Sequence, residues 1–444
     1  MINAKMIFPS DFRWGTATAS YQVEGNNTNS DWWAWEHDAK QNPNGHLTNL
    51  ASNWWQDAES DLDRAVDMGT NAHRMSLEWS RIEPEPSVFD DDALARYRQI
   101  LQGMHERGIE PMVTLHHFSN PIWLSEKGDF HSDIVVDYFR RYVAKVVSTL
   151  GDLIPKWIPI NEPMVYVFLR NLSQEFPAPQ QPGFVGAMRT LRNMLHCHAA
   201  AYHVIKEAFP DAEVGVAKNM AALQPKRPNN LLDKRWARWI SWLYNDMWMD
   251  CVANGRLHPI LGRGKINHLA NSMDFVGINY YTRFYVKFPP LGGVLETEWG
   301  PGAVISDGNY GEIYPDGMFQ MIKRVMPYEK PIYITENGVP DRADLLRPSF
   351  IITHLREIWR AISFNYPVMG YYHWSLIDNF EWDRGWTQRF GLIELDVDTQ
   401  ERRLRKSGRL YGEICRSGSV SSDMAARYAP ALMNTLFRGE APGK

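Results

Sequence analysis

Cysteine is scarce in this 444-residue sequence: Cys197, Cys251 and Cys415 are odd in number and far apart. They offer neither a disulfide framework nor a Cys-x-x-Cys pair. No run of about 18 apolar residues occurs, which excludes a membrane-spanning helix. The opening MINAKMIFPSDFRWG lacks the apolar stretch of a secretory leader. An excess of positive charge is missing as well. Lys and Arg number 47 against 52 Asp and Glu, a net charge of −5, so there is no electrostatic footprint for nucleic acid. Neither GxGxxG nor GxxxxGK[ST] appears, which removes the main support for a nucleotide cofactor. What remains is a globular chain, expected in the cytoplasm, with no membrane or nucleic-acid partner.

Aromatic residues are abundant: 18 Trp, with 13% of the chain Phe, Trp or Tyr. A large aromatic core and a site whose flat rings stack on ligand faces are both open on composition alone. Eight short apolar runs recur along the chain, at 14–20, 72–79, 111–118, 157–163, 213–219, 274–281, 332–338 and 368–375. Between them lie segments of helical spacing, at 53–68, 93–107, 134–150, 186–208, 232–253, 315–325 and 349–364, with a last one at 406–416. Eight strand–helix units at roughly 50-residue spacing fit an α/β architecture, a single (β/α)8 barrel of the TIM type. The expected domain is the whole chain, with its core at about 6–417 and a peripheral tail at 418–444 that forms a short helix or frays. The length beyond a ~250-residue barrel is assigned to loops at 21–50, 164–185 and 282–314. Pro159 sits inside one expected strand and removes a ladder donor, so that strand is expected to begin or end beside it.

In such a barrel, reactive groups stand at the C-terminal ends of strands. Those positions hold Arg74, His117, Asn161 with Glu162, Asn279 with Tyr281, Glu336 and Trp374. A single strand-end glutamate is more often a cap or an ion-pair member. Two of them, each beside an Asn and ringed by aromatics, match the pair of carboxylates that cleaves a glycosidic bond. The histidines at 196, 198 and 203 make a poor metal set, because His198 leaves the shared helix face and no carboxylate completes them. Trp32, Trp33 and Trp35 fit either an entrance lining or the core. Arg403, Arg405 and Lys406 are expected to be a solvated surface run.

The ordered set FPSDFRWGTATASYQVEG, WIPINEP, DFVGINYYTR, EIYPDGM, IYITENG and WSLIDNFEWDRGWTQRFG resembles glycoside hydrolase family 1, the β-glucosidases and β-glycosidases. The resemblance spans about residues 6–417. It implies a retaining mechanism in which Glu162 is the general acid/base and Glu336 the nucleophile, with Arg74, Tyr281 and Asn279 in support. Gln22, His117, Asn161, Trp374, Glu381, Trp382 and Phe390 are implied to hold the sugar. A cis peptide between Trp374 and Ser375 is implied too. Glu381 stands where the branch acting on 6-phospho-sugars has a small hydroxyl residue, so the implied substrate is an unphosphorylated β-glycoside or short oligosaccharide. No metal or cofactor is implied, because the two glutamates handle proton and charge. A transglycosidase of the same family, or a silent sugar-binding protein, are the alternatives. The sequence departs from the family's pattern at Phe118, where Trp is usual, at Pro159, where Thr is common, and in FLRNLSQEFPAP, where Arg170 and Asn171 replace a Gly and a Tyr.

Overall fold

A computed structural model describes residues 4–42, 44–178, 182–290, 295 and 299–437. Eight strands close into a barrel and run parallel throughout: β1 (Arg13–Ala17), β2 (Ala72–Ser76), β3 (Glu110–His116), β4 (Lys156–Ile160), β5 (Glu213–Pro225), β6 (Phe275–Val286), β7 (Ile332–Asn337) and β8 (Val368–Trp374). β8 pairs back onto β1, Arg13 opposite Gly370 through Ala17 opposite Trp374. All eight expected runs are therefore barrel strands. Most of their residues are buried, as a parallel sheet covered by helices requires.

Eight long helices ring the barrel: α1 (Trp54–Asp67), α2 (Asp91–Glu106), α3 (Val135–Leu150), α4 (Phe184–Ala208), α5 (Leu231–Asn245), α6 (Asp316–Val325), α7 (Arg347–Ser363) and α8 (Lys406–Ser417). The helix expected over 232–253 is two helices, α5 and a shorter Met247–Asn254, divided at Asp246. Side chains at the junction are tied to other elements. Asp246 accepts two 2.6 Å bonds from Arg324, and Asn245 bonds both backbone groups of Ala221 at 3.0 and 3.1 Å.

Pro159 lies within β4, one residue before its end at Ile160, so the strand does end beside it. The ladder from β4 to β5 pairs Lys156 and Trp157 and resumes only at Asn161 opposite Ala217, so the proline occupies a stretch where that side needs no donor. β5 and β6 run well past their expected ends and stay paired up to Pro225 opposite Val286. Residues 282–286, the start of the span assigned to a loop after residue 281, thus belong to a two-stranded ribbon rising from the barrel. Residues 43, 179–181, 291–294 and 296–298 of the three expected loops lie outside the described residues.

The lower end of the barrel is closed by charge. Arg13 pairs with Glu110 at 3.1 Å, Glu110 with Lys156 at 2.9 Å and Lys156 with Glu213 at 3.7 Å. In the tail, Ser419–Ser421 forms a buried strand antiparallel to Lys5–Ile7, and a helix follows at Ser422–Tyr428. Residues 438–444 lie outside the described residues. Arg405 corrects the expected surface run. It is buried and grips both carboxylate oxygens of Asp378 at 2.8 Å, while Arg403 and Lys406 are exposed.

Candidate active site

Every strand-end residue singled out above opens onto one buried cluster at the C-terminal mouth of the barrel. Glu162 follows β4 and starts a short helix at Pro163–Val167. Its backbone is left-handed, φ 43°, a conformation rare for residues other than Gly, Asn and Asp. Proline at the next position suits the first turn of that helix. Glu336 lies within β7, and Gly338 just beyond it admits no side chain. A Cβ there would sit 1.8 Å from the Trp374 carbonyl oxygen, so glycine lets the end of β8 close against β7. The Trp374–Ser375 peptide is cis.

The two glutamates are held differently. The Arg74 guanidinium pairs with Glu336 Oε1, and the Tyr281 hydroxyl donates to Oε2 at 2.6 Å. Arg74 also donates to Asn161 Oδ1 at 2.6 Å and to Thr114 Oγ1 at 3.2 Å, so its fork is fixed from three strands. Both oxygens of Glu336 thus face donors, one on each side. Glu162 meets no cation directly. Asn279 donates to its Oε1 at 2.7 Å and Asn219 at 3.2 Å. Burial, and then the charge of Glu336, push its carboxyl up to about 8.

Amide orientation in this cluster is legible from the bonds. Asn161 Oδ1 accepts from Arg74 and, at 3.2 Å, from Asn279, so its Nδ2 is the donor facing His117 Nε2 at 3.1 Å. The His117 proton therefore sits on Nδ1. That nitrogen is buried and has no protein partner. Burial, reinforced by the Arg74 charge, holds the ring well below its usual range, hence neutral. Gln22 Nε2 donates to the Phe380 carbonyl at 2.7 Å and lies 3.2 Å from Glu381 Oε2, leaving its Oε1 buried and unpartnered. Glu381 is raised to about 8 by burial, then by Asp383 and Glu336, so below that pH it can donate as well as accept.

Aromatic rings wall this polar floor. His117 stacks between Trp374 and Trp382, with centroids at 6.0 and 6.1 Å. Trp382 rests on Tyr21 at 5.9 Å and meets the edge of Phe118 at 5.3 Å. Phe118, in place of the family's usual Trp, keeps the apolar wall. Phe390 packs on Tyr281 at 6.2 Å and Tyr310 at 5.2 Å. Trp32 belongs to the core, fully buried 4.8 Å from Trp382. His198 is spent on the Ser272 carbonyl at 2.8 Å, and His203 stacks on His268. Among the described residues no group of three or more His, Cys, Asp or Glu is placed to hold a metal ion.

The loop after Glu162 is braced where it departs from the family's pattern. Arg170 is buried and bridges Asp31 at 2.6 Å and Asp129 at 2.7 Å, tying together the loops after β1, β3 and β4. Several residues around the glutamates were not singled out from sequence. Asn219 stands at the expected end of the fifth strand, and that position alone could have flagged it. Its Oδ1 accepts from Tyr244 at 2.5 Å. Lys218, fully buried, donates to the Asn219 carbonyl at 2.6 Å and lies 4.5 Å from the Tyr244 ring, and burial brings it down to about 7. Thr335 donates to Asn279 at 2.6 Å, and Tyr310 lies 3.5 Å from Glu381.

An eight-stranded parallel barrel with two unlike carboxyls and a ring-walled polar pocket at its mouth has the form of a glycosidase. Comparison with known proteins agrees. The sequence pattern described as Glycosyl hydrolase family 1 matches residues 4–419. A β-galactosidase of Pyrococcus woesei is 30% identical over 94% of this chain and 98% of its own length. A solved β-glycosidase from Pyrococcus horikoshii is 35% identical, with a TM-score of 0.88 over 96% of this chain and 98% of that one. A Thermotoga maritima β-glucosidase solved with deoxynojirimycin is 29% identical, with a TM-score of 0.86 over 94% of this chain and 100% of that one. The chain belongs to glycosyl hydrolase family 1 and is a β-glycosidase.

Proposed function

We propose that this enzyme is a retaining, exo-acting β-glycosidase that removes terminal unphosphorylated sugars, β-glucose first among them, through a covalent glycosyl-enzyme. The observation that carries this reading is the contrast between the two carboxyls: Glu336 clasped by Arg74 and Tyr281, Glu162 buried without a cation and raised to about 8. At neutral pH one carboxyl is then ready to attack and the other to give a proton.

Glu336 attacks the anomeric carbon while Glu162 protonates the departing oxygen, and the sugar becomes an ester of Glu336. That ester carries no charge, so part of what raised Glu162 is gone and it can now take a proton from water. Water attacks the same face the leaving group left, and the β-configuration is retained. Asn161, Gln22, His117, Glu381 and Trp382 position the sugar's hydroxyls, with Trp374 as its stacking platform. The unpartnered His117 Nδ1–H and Gln22 Oε1 fit this role, as a donor and an acceptor waiting for hydroxyl groups. Glu381 stands where the 6-phospho-sugar branch has a small hydroxyl residue, and this disfavours a phosphorylated sugar. Phe390 and Tyr310 complete the wall beside the nucleophile.

The test is chemical rescue. Glu336→Gly should lose hydrolysis of aryl β-glucosides and, with azide, release the α-glycosyl azide. Glu162→Ala with azide should give the β-azide. The opposite pairing would reverse the two roles, and an α-sugar as first product of the unmodified enzyme would mean inversion.

A further inference from the structure

β5 continues six residues past Asn219, and β6 continues five past Tyr281. At about 3.3 Å per residue this carries the ribbon roughly 20 Å beyond the site, on the mouth side of the barrel. Its tip and the following helix α5 form an unusual surface. The inner face of α5 is buried through Asp233, Ala237, Ile240, Ser241 and Asn245. Its outer face exposes Leu231 (71%), Leu232 (53%) and Trp239 (43%), with Phe288 (37%) beside them. Trp236 joins the last two, 5.0 Å from Trp239 and 5.6 Å from Phe288.

Among the described residues, the exposed charges on the tip and on α5 are all basic. Between Lys226 and Trp239 there are five basic residues and one acid, a local excess of +4 in a chain of net −5. The acid, Asp233, is buried and fully engaged by Arg227 at 2.7 and 2.8 Å. Lys234, Arg235, Arg238 and Lys287 are exposed. A helix that buries its small and polar side while presenting Leu, Trp and cations outward has the composition of one that lies in a membrane interface.

We propose that the β5–β6 tip and the outer face of α5 dock on an anionic lipid surface, with Leu231, Leu232, Trp239 and Phe288 entering the headgroup region and Lys234, Arg235 and Arg238 facing lipid phosphates. Charge complementarity selects this partner. An acidic protein groove would satisfy the cations and leave the leucines wet, whereas a second copy of the chain would bring the same cations face to face. This contact is peripheral and concerns no spanning helix; among the described residues no helix is long and apolar enough to cross a membrane.

The experiment is co-sedimentation of the full chain with vesicles of phosphatidylglycerol and phosphatidylcholine, against phosphatidylcholine alone. Binding is expected to the anionic vesicles and to weaken with salt. Two exposed-surface variants separate the contributions: Leu231→Glu with Leu232→Glu, and Arg235→Glu with Arg238→Glu. Each should lower the vesicle partition about tenfold or more and leave turnover of a soluble aryl β-glucoside unchanged. No binding at low salt would overturn the proposal, as would binding that neither variant weakens. Equal capture on polyglutamate, insensitive to the leucine variant, would make the surface a charge patch only and overturn it. Self-association in sedimentation velocity that the leucine variant abolishes, without vesicle binding, would assign the face to a second copy instead.

Discussion

Replacing Glu336 by Gln tests the electrostatic coupling on which the proposed cycle depends. The substitution keeps the shape of the side chain and removes its charge. Glu162 stands at about 8 because of burial first and the charge of Glu336 second. Two unit charges about 5.5 Å apart, the spacing of a retaining pair, at an effective dielectric constant of about 20, repel by about 3 kcal/mol. At about 1.36 kcal/mol per pH unit, that is about two units. Glu162 in Glu336→Gln should therefore titrate near about 6, and Arg74, no longer neutralised by Glu336, pulls in the same direction. The assay is carbon NMR of selectively labelled glutamate carboxyls across pH 4–10, with Glu162→Gln identifying the resonance. The sign also fixes the activity profile of the unmodified enzyme. A raised acid is protonated below its midpoint, so kcat/KM should fall as pH rises through about 8. A Glu162 midpoint that stays near 8 in Glu336→Gln would refute the reasoning. Burial alone would then set it, and esterification of Glu336 could not convert the acid into a base.

Tyr281→Phe deletes a 2.6 Å donor to the nucleophile. A hydrogen bond to a charged group is worth about 1.5–3 kcal/mol, so kcat/KM for an aryl β-glucoside should drop about 10- to 150-fold. Arg170→Met leaves Asp31 and Asp129 buried without their cation, a loss of about 3–5 kcal/mol; denaturant titration should show it, and an unchanged midpoint would mean that the bridge is not needed. Ile334→Ala in the fully buried centre of β7 should cost about 2–5 kcal/mol in the same titration.

The barrel was legible because each strand is an apolar run that ends in polar or aromatic groups, and each helix has its own period and stop. Where the reading fell short, the local pattern carried no sign of the outcome. Asp246 and Asn245 continue the helical spacing, and backbone bonds from Asp246 to Trp242 and from Asp250 to Asp246 run through the junction, so the residue pattern gives no sign of the division there. The ribbon formed by β5 and β6 carries no apolar alternation strong enough to separate it from loop: Met220, Ala221 and Ala222 are buried in succession, and residues 223–225 and 283–285 are half-buried. Arg405 looks like a surface charge until Asp378, distant in sequence, is placed against it. The site divides in the same way. Residues at strand ends, from Arg74 to Trp374, stand where the fold puts chemistry. Tyr244 at the end of α5 and Tyr310 in an irregular loop reach the pocket only through tertiary packing, and nothing in their neighbourhoods announces it.

The strand Lys5–Ile7 pairs with Ser419–Ser421, and β1 pairs with β8. In both cases the earliest residues of the fold wait for the latest. At about 5–20 residues per second, the ribosome needs roughly 20–80 s to pass from the first of these partners to the last. Until β8 is made, the β1 edge has no partner on that side, and the growing sheet cannot close into a cylinder. The nascent enzyme is an open sheet with two free edges for most of its synthesis, so its exposure to wrong partners is set by translation speed as much as by its final stability.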